Sequence, residues 1–267
     1  MQNKEKIQNH YKQEAFIKGL SKECSMQDSY VRDSETSFII NEIDRYYNHN
    51  KSLKILEIGC GNGYLLSILS NKYKELDLYG IEFSKELYEL AISRQLENVN
   101  LINADCREQH FEEGFFDVVI SERVLINLLE KEDKIVALNN IHRVLKEKGR
   151  YIMVESFNEP LANLNKARKE LLLEEIDEPY HNKYFSESIK ESMSMIGFAE
   201  LEPSVKKNFL STHYFLARVF HEVIRPENST MRNTELVKFF DLALPDSVGN
   251  YSPILFRVFE KQLSTKK

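Results

Sequence analysis

The segment Leu56–Leu65, LEIGCGNGYL, runs from a short apolar strand into Gly59, Gly61 and Gly63, glycines at every second position. A loop of this kind between a strand and a helix lets a ligand approach the backbone, and the helix after it offers its N-terminal amides to a polar or anionic group. Two carboxylates stand at matching places further along. Glu82 closes the second strand, 19 residues after Gly63, where an acid accepts hydrogen bonds from both hydroxyls of a ribose. Asp105 closes the third, in the tripeptide NAD, where an acid reaches an adenine amino group. Taken singly, Asp105 reads equally well as a helix N-cap. With Glu57 two residues before the first glycine, the ordered set describes a nucleotide-bearing ligand at the carboxyl ends of strands. The spacing is G-x-G-x-G, whereas the dinucleotide fingerprint G-x-G-x-x-G needs a glycine at position 64, where the chain has Tyr64. An NAD-dependent oxidoreductase shares the acid at position 82 but not this spacing.

The elements that must hold these groups follow from hydrophobic periodicity. KILEIG, LDLYGIEF, VNLINAD, FDVVISE and GRYIMVES read as strands. Between them YLLSILSNKY and SKELYELAISRQLE read as helices, the second with Ser84 as N-cap, and EDKIVALNNIHRVLKEKG as a helix ended by Gly149. Strands alternating with helix-length segments describe right-handed βαβ units, hence an α/β class and a parallel sheet covered on both faces. Residues 1–50, with EAFIKGL and TSFIINEIDRYY, predict an N-terminal helical lid. Residues 51–267 predict the main domain, with insertions at 157–185 and 210–250 forming a helical cap over the strand ends.

The bulk properties narrow the function class. With 267 residues, 42% hydrophobic and 29% charged, the chain fits one large α/β core. A net charge of -6 with no long Lys/Arg block gives no electrostatic footprint for nucleic acid. Cys24, Cys60 and Cys106 are odd in number and far apart, without a CxxC pair, so neither a disulfide framework nor a metal site is encoded. The N-terminal stretch lacks an apolar signal core and no uncharged apolar run reaches membrane-spanning length. A cytoplasmic protein with a small-molecule substrate, no nucleic acid and no membrane is expected, and a homodimer is compatible with this composition. Abundant Lys, Asn, Ile and Glu and the absence of Trp suggest an AT-rich bacterial source.

In order, EIGCGNG, IEFS, NADCRE and FDVVISE resemble the class I S-adenosylmethionine-dependent methyltransferases over roughly Lys54 to Ser156. The resemblance implies a Rossmann-like seven-stranded, mostly parallel sheet, with AELEPSVKK as sixth strand and PILFRVFEK as an antiparallel seventh. It implies S-adenosylmethionine as cofactor, held by Glu57, Gly59, Cys60, Gly61, Asn62 and Gly63, with Glu82 and Phe83 at the ribose, Asp105 and Cys106 at the adenine, and Ser121 beside the methyl group. Upstream, Tyr30 and Arg32 are candidates for the methionine carboxylate.

Methyl transfer is an in-line displacement governed by alignment, and a hydroxyl acceptor gains from a general base. His181 and Glu122 are the catalytic candidates, each with a bland alternative as a surface or satisfied core residue. Acceptor contacts are expected from Arg123, Asn127, Tyr180, Asn182, His213, Tyr214, Arg218 and His221, the last three read as one helix face. After the fourth strand the chain has SERV in place of the Pro-Pro-aromatic pattern of nucleobase-methylating members, so base methylation is disfavoured. Metal is not required. The stretch from Ser121 to Ser156 and the segments PYHN and HYFLARVFH are similar to methyltransferases of bacterial surface polysaccharide pathways, O-antigen or capsule. That similarity implies O-methylation of a sugar, a nucleotide-activated sugar or a capsular phosphoramidate precursor. N-methylation of a small metabolite and a catalytically silent partner subunit of the same fold are the alternatives.

Overall fold

A computed structural model describes residues 2–47, 52–228 and 231–263. The expected domain boundary at residues 50 and 51 lies outside them. Seven strands form one sheet: β1 Lys54–Ile58, β2 Asp77–Glu82, β3 Val99–Asn103, β4 Phe116–Glu122, β5 Leu145–Ser156, β6 Phe198–Leu201 and β7 Ile254–Lys261. Their order is β3-β2-β1-β4-β5-β7-β6. The first five are parallel, while β7 runs antiparallel between β5 and β6, as expected. The central strands are apolar on both faces, Ile55, Leu56 and Ile58 in β1 and Val118, Val119 and Ile120 in β4, as parallel strands covered on two sides must be.

Helices α1 Gln2–Lys18, α2 Ser29–Tyr46, α3 Tyr64–Lys72, α4 Lys85–Ser93, α5 Lys131–Val144, α6 Asn158–Glu170 and α7 Ile189–Ile196 surround the sheet. One face is covered by α2, α3 and α6 through Phe38, Ile39, Leu66, Leu69 and Leu164. The other is covered by α5 and α7 through Leu138, Ile141, Ile189 and Met193. Ala15 of α1 packs with Leu87 of α4, setting the N-terminal helix at the rim of the sheet where β2 ends.

The expected stop of α5 at Gly149 is corrected. The helix ends at Val144, because Leu145 already pairs with Phe116 and the strand is then bulged before Arg150 pairs with Val118. Lys148 takes a left-handed φ of 60°, and a Cβ on Gly149 would lie 2.8 Å from the Lys146 carbonyl, so this glycine serves the bulge.

In the first insertion, α6 is followed by an irregular run to Phe185, which bridges back to Phe157. The second contains α8 Ser211–Phe215, a π-helical turn Leu216–Phe220, α9 His221–Ile224 and α10 Glu235–Ala243. Among the described residues no helix is long and apolar enough to cross a membrane.

Candidate active site

Parallel registration brings the carboxyl ends of β1, β2 and β4 side by side, so Gly59, Glu82 and Glu122 emerge at one edge. The three glycines there have different reasons. Gly59 has φ +66°, and a Cβ on it would fall 2.3 Å from Val124 Cγ2 in the turn after β4. Gly63 has φ +73°, and its Cβ would press on Ala91 of α4 at 3.1 Å. Gly61 has φ +55° with nothing within 4 Å of its Cβ position, so it alone of the three faces open space. The expectation that all three side chains are missing to admit a ligand is therefore corrected: Gly59 and Gly63 admit the protein itself.

Gly59→Ala combines left-handed strain with overpacking, each about 1–3 kcal/mol. It is expected to lower stability by about 2–4 kcal/mol in chemical denaturation. Gly114→Ala, also at positive φ but in open space, should cost less than half as much.

Glu82 is buried and accepts the Gly61 N–H at 2.8 Å and the Ser84 N–H at 2.7 Å. Burial pushes its carboxyl up to about 7, against the opposing pull of the Ser84, Gly61 and Phe83 amides. With Phe83, Asp105 and Cys106 it lines a cleft that runs along the strand ends. Asp105 is gripped by Arg107, Nε at 2.9 Å and Nη2 at 2.6 Å, and Arg107 reaches on to Asp133 at 2.6 Å. Burial pushes the Cys106 thiol up to about 12, so it stays neutral.

Beneath the glycine loop Glu57, Cys60, Asn62, Tyr64 and Arg32 line a smaller cavity. Glu57 Oε2 is buried without a hydrogen-bond partner, and burial, with Glu122 nearby, raises its carboxyl well above the ordinary range. Arg32 donates to Glu122 and to the Cys24 carbonyl. Arg123, at φ 53°, donates to Glu122 at 3.2 Å and to Glu35 at 2.8 Å. Burial pushes Glu35 up to about 8, and the Glu122 charge adds to the rise. Burial alone would raise Glu122 as well, but Arg32 and Arg123 hold it below its usual value. The cluster thus sets the Arg32 and Arg123 guanidinium groups against the Glu35 and Glu122 carboxyls, with burial opposing ionisation of Glu35.

The segment joining α1 to α2 crosses this floor. Asn62 Nδ2 donates to the Gly19 and Ser21 carbonyls at 2.8 and 3.0 Å, and Arg123 donates to the Ser25 carbonyl. Ile7, Gln8, Tyr11 and Ser25 complete the wall of the cleft opposite Glu82.

Residues 55–149 match the family described as methyltransferase domain. That segment is similar to a methyltransferase domain. Over 96 residues it is 36% identical to a malonyl-[acyl-carrier protein] O-methyltransferase of Bacillus anthracis, covering 36% of this chain and 35% of that one. Over 159 residues it is 28% identical to a demethylmenaquinone methyltransferase of Lactococcus lactis, covering 58% and 61%. The matches therefore span only about a third to three fifths of these relatives. Among solved structures, the complex of the Haloferax volcanii Trm112 methyltransferase activator with a putative methyltransferase aligns over 90% of this chain and 95% of that one, with a TM-score of 0.56 at 15% identity. A putative sarcosine dimethylglycine methyltransferase from Galdieria sulphuraria aligns over 86% of both chains, TM-score 0.56, 14% identity. The fold is that of these α/β methyltransferases. The two curated relatives are named for a malonyl carrier protein and a demethylmenaquinone, so the expected similarity to polysaccharide enzymes is not found in them.

A second cavity adjoins the cleft along the strand ends, lined by His10, Ser156, His181, Asn182, Tyr184 and Tyr214. His181 Nδ1 and Asn182 Oδ1 are buried there without partners. His181 stacks on His10 at 3.7 Å between ring centroids, and burial, with His10 beside it, pushes it down to about 4, so it is neutral. Arg123 lines both cavities and Asn127 lines the cleft. Tyr180 is 67% exposed and belongs to neither lining, its hydroxyl 3.4 Å from His10 Nδ1.

Five further expected site residues are placed elsewhere. Ser121 is fully buried and shares a hydrogen bond with Tyr151 at 2.8 Å, because alternation along β4 turns it to the face opposite Glu122. Tyr30 lies two residues from Arg32, on another side of α2, and stacks on His213 at 4.4 Å. His213 is clamped between Asp28 at 3.0 Å and Asp241 at 2.8 Å. Arg218 donates to Asp28 at 3.0 Å and lies over the Tyr214 ring at 3.9 Å, behind the cavity wall. His221 is buried outside both cavities. Tyr214 and Arg218 do meet on one face, the guanidinium over the ring, but only Tyr214 lines the second cavity, and the π turn Leu216–Phe220 that contains Arg218 changes the spacing on to His221.

Other groups carry no sequence motif. Tyr11 and His10 come from a polar helix with no Gly-rich signal. Glu155 accepts the Val124, Leu125 and Ile126 amides at 3.2, 3.0 and 3.3 Å, fixing the turn that bears Asn127. Its one visible mark is a carboxylate inside the apolar run of GRYIMVES.

Proposed function

We propose that the protein transfers a methyl group from S-adenosylmethionine to an oxygen of a small polar acceptor. The observation that carries this reading is the second cavity, continuous with the cleft and presenting the unpartnered polar atoms of His181 and Asn182. When bound, S-adenosylmethionine supplies an electrophilic methyl on a sulfonium sulfur. The residues present fit it: open space at Gly61, a fixed carboxylate at Glu82 for two ribose hydroxyls, and the Asp105–Arg107 pair at the adenine end. Arg32, with Arg123 beside it in the lining of the smaller cavity, suits the methionine carboxylate. Helix α1 and the linker after it act as the lid of this site, and the two insertions as its cap.

On the acceptor side, Glu122 keeps Arg32 and Arg123 in place, and neutral His181 accepts a hydrogen bond from the acceptor hydroxyl. Hydroxyl-rich acceptors, a sugar, a nucleotide-activated sugar or a capsular phosphoramidate precursor, are the class this polarity favours. The test is transfer of labelled methyl from S-adenosylmethionine to glucose, UDP-glucose, catechol, malonate and glycine, with the product atom located by NMR. An O-methylated product supports the reading, an N-methylated one replaces it, and cofactor binding without turnover on an extended panel favours a silent partner subunit.

Hydrogen bonds from ribose hydroxyls stabilise the charged form of Glu82 and lower its pKa, so binding releases a proton wherever the free carboxyl is protonated. Affinity for S-adenosylhomocysteine is therefore expected to rise with pH up to about 7, the value to which Glu82 is pushed, and to level off above it. The slope below the plateau approaches tenfold per unit, and Glu82→Gln should flatten it in calorimetry.

A further inference from the structure

Three residues line both cavities and so form their border: Tyr11, Ser25 and Arg123. Any group passing from the cleft to the second cavity passes them. Arg123 is engaged by Glu35, Glu122 and the Ser25 carbonyl. Ser25 is fixed through its N–H to Glu14 and its carbonyl to Arg123. Tyr11 is placed differently. Its hydroxyl donates its one proton to Asn127 Oδ1 at 3.0 Å, and Asn127 Nδ2 turns back to the Arg123 carbonyl at 3.3 Å. That chain fixes the phenol oxygen while leaving its lone pairs for an incoming donor. The ring stands edge-on to His181, 6.2 Å between centroids at 79°, so the oxygen-bearing ring and the unpartnered imidazole share one corner of the site.

Burial raises the Tyr11 hydroxyl far above its ordinary value, so it stays a phenol and does not act as a base. Its contribution is position. Resting on the transfer reading above, we propose that Tyr11, carried by α1 outside residues 55–149, is a catalytic residue whose oxygen faces the transferring methyl and accepts a hydrogen bond from a neighbouring hydroxyl of the acceptor, while the reacting hydroxyl donates its single proton to His181. In that step the acceptor O–CH3 bond forms and the S–CH3 bond breaks with its electron pair returning to sulfur. The acceptor proton leaves to water by way of His181. Tyr11 holds the acceptor in line through that second hydroxyl, the kind of alignment that contributes about one to two orders of magnitude in rate.

Tyr11→Phe keeps the ring and its packing and removes only the oxygen. The expected result is S-adenosylhomocysteine affinity within about twofold of wild type, a displaced resonance for the labelled methyl of bound [methyl-13C]S-adenosylmethionine, and a turnover of the panel acceptor lower by roughly tenfold to a hundredfold. Wild-type turnover in the variant overturns the inference. So does an unchanged methyl resonance, which decides the matter even where no panel compound is methylated. A variant that loses cofactor affinity more than tenfold makes Tyr11 a wall of the cleft and also overturns it. Wild-type protein that binds no S-adenosylmethionine overturns the transfer reading itself, a different outcome from binding with an indifferent Tyr11→Phe.

Discussion

Glu82→Ala is expected to weaken S-adenosylhomocysteine binding at least about a hundredfold in titration calorimetry. The proposed contact is two hydroxyl donors on one carboxylate, and hydrogen bonds to charged groups contribute about 1.5–3 kcal/mol each. Two of them amount to roughly 3–6 kcal/mol, or two to four orders of magnitude in affinity. The alanine also removes the acceptor for the Gly61 and Ser84 amides, which lets the glycine loop drift from the position that leaves its Cβ side open. Glu82→Gln separates these contributions, since it keeps a carbonyl oxygen for one donor and loses the charge. Its affinity should lie between those of wild type and alanine. Because burial holds Glu82 partly protonated at neutral pH, neither variant gives up a strongly paired charge, and thermal midpoints should move by only a few degrees. Alanine protein that melts normally and binds S-adenosylhomocysteine as tightly as wild type would remove Glu82 from the ribose.

How far the sequence reaches into this site depends on how local each signal is. The glycine loop, Glu82 and Asp105 were legible because each is fixed by its own strand end, and strands are marked by short apolar runs. The parallel direction of the first five strands followed from the alternation of those runs with helices, whereas their order in the sheet is a long-range property that no run marks. Tyr11 and His10 were not legible: α1 is polar along most of its length, and its residues reach the cavities through the docking of Ala15 against Leu87, a contact between segments far apart in sequence. Ser121 was misplaced by one position, which in a strand is the difference between the two faces. The single π turn at Leu216–Phe220 leaves no compositional trace, and of the three residues expected on this face only Tyr214 lines the cavity.

His213→Ala should damage the fold far more than the chemistry. His213 bridges Asp28, the N-cap of α2, and Asp241 of α10, while Arg218 and Asn233 also reach Asp28. Burial alone would lower the imidazole pKa, but the bonds to Asp241 and Asp28 raise it above 6.5, so the ring carries a proton between two carboxylates. Removing one partner of a buried ion cluster costs about 3–5 kcal/mol, and at about 2–4 °C per kcal/mol for a chain of this size the melting point should fall by roughly 6–20 °C. The pH dependence has a definite sign. A folded pKa raised above the unfolded value gives stability that is fully present below about pH 6.5 and lost as pH rises through the folded pKa, so the gap between wild type and variant should narrow toward alkaline pH. S-adenosylhomocysteine affinity, measured well below the variant's melting point, should change little, because His213 touches neither cavity. The effect that does reach the site is indirect: Asp28 starts the helix that carries Arg32 and Glu35, and a frayed start would loosen both against Glu122 and Arg123. A variant that melts like wild type but fails to turn over would reverse this reading and place His213 at the acceptor.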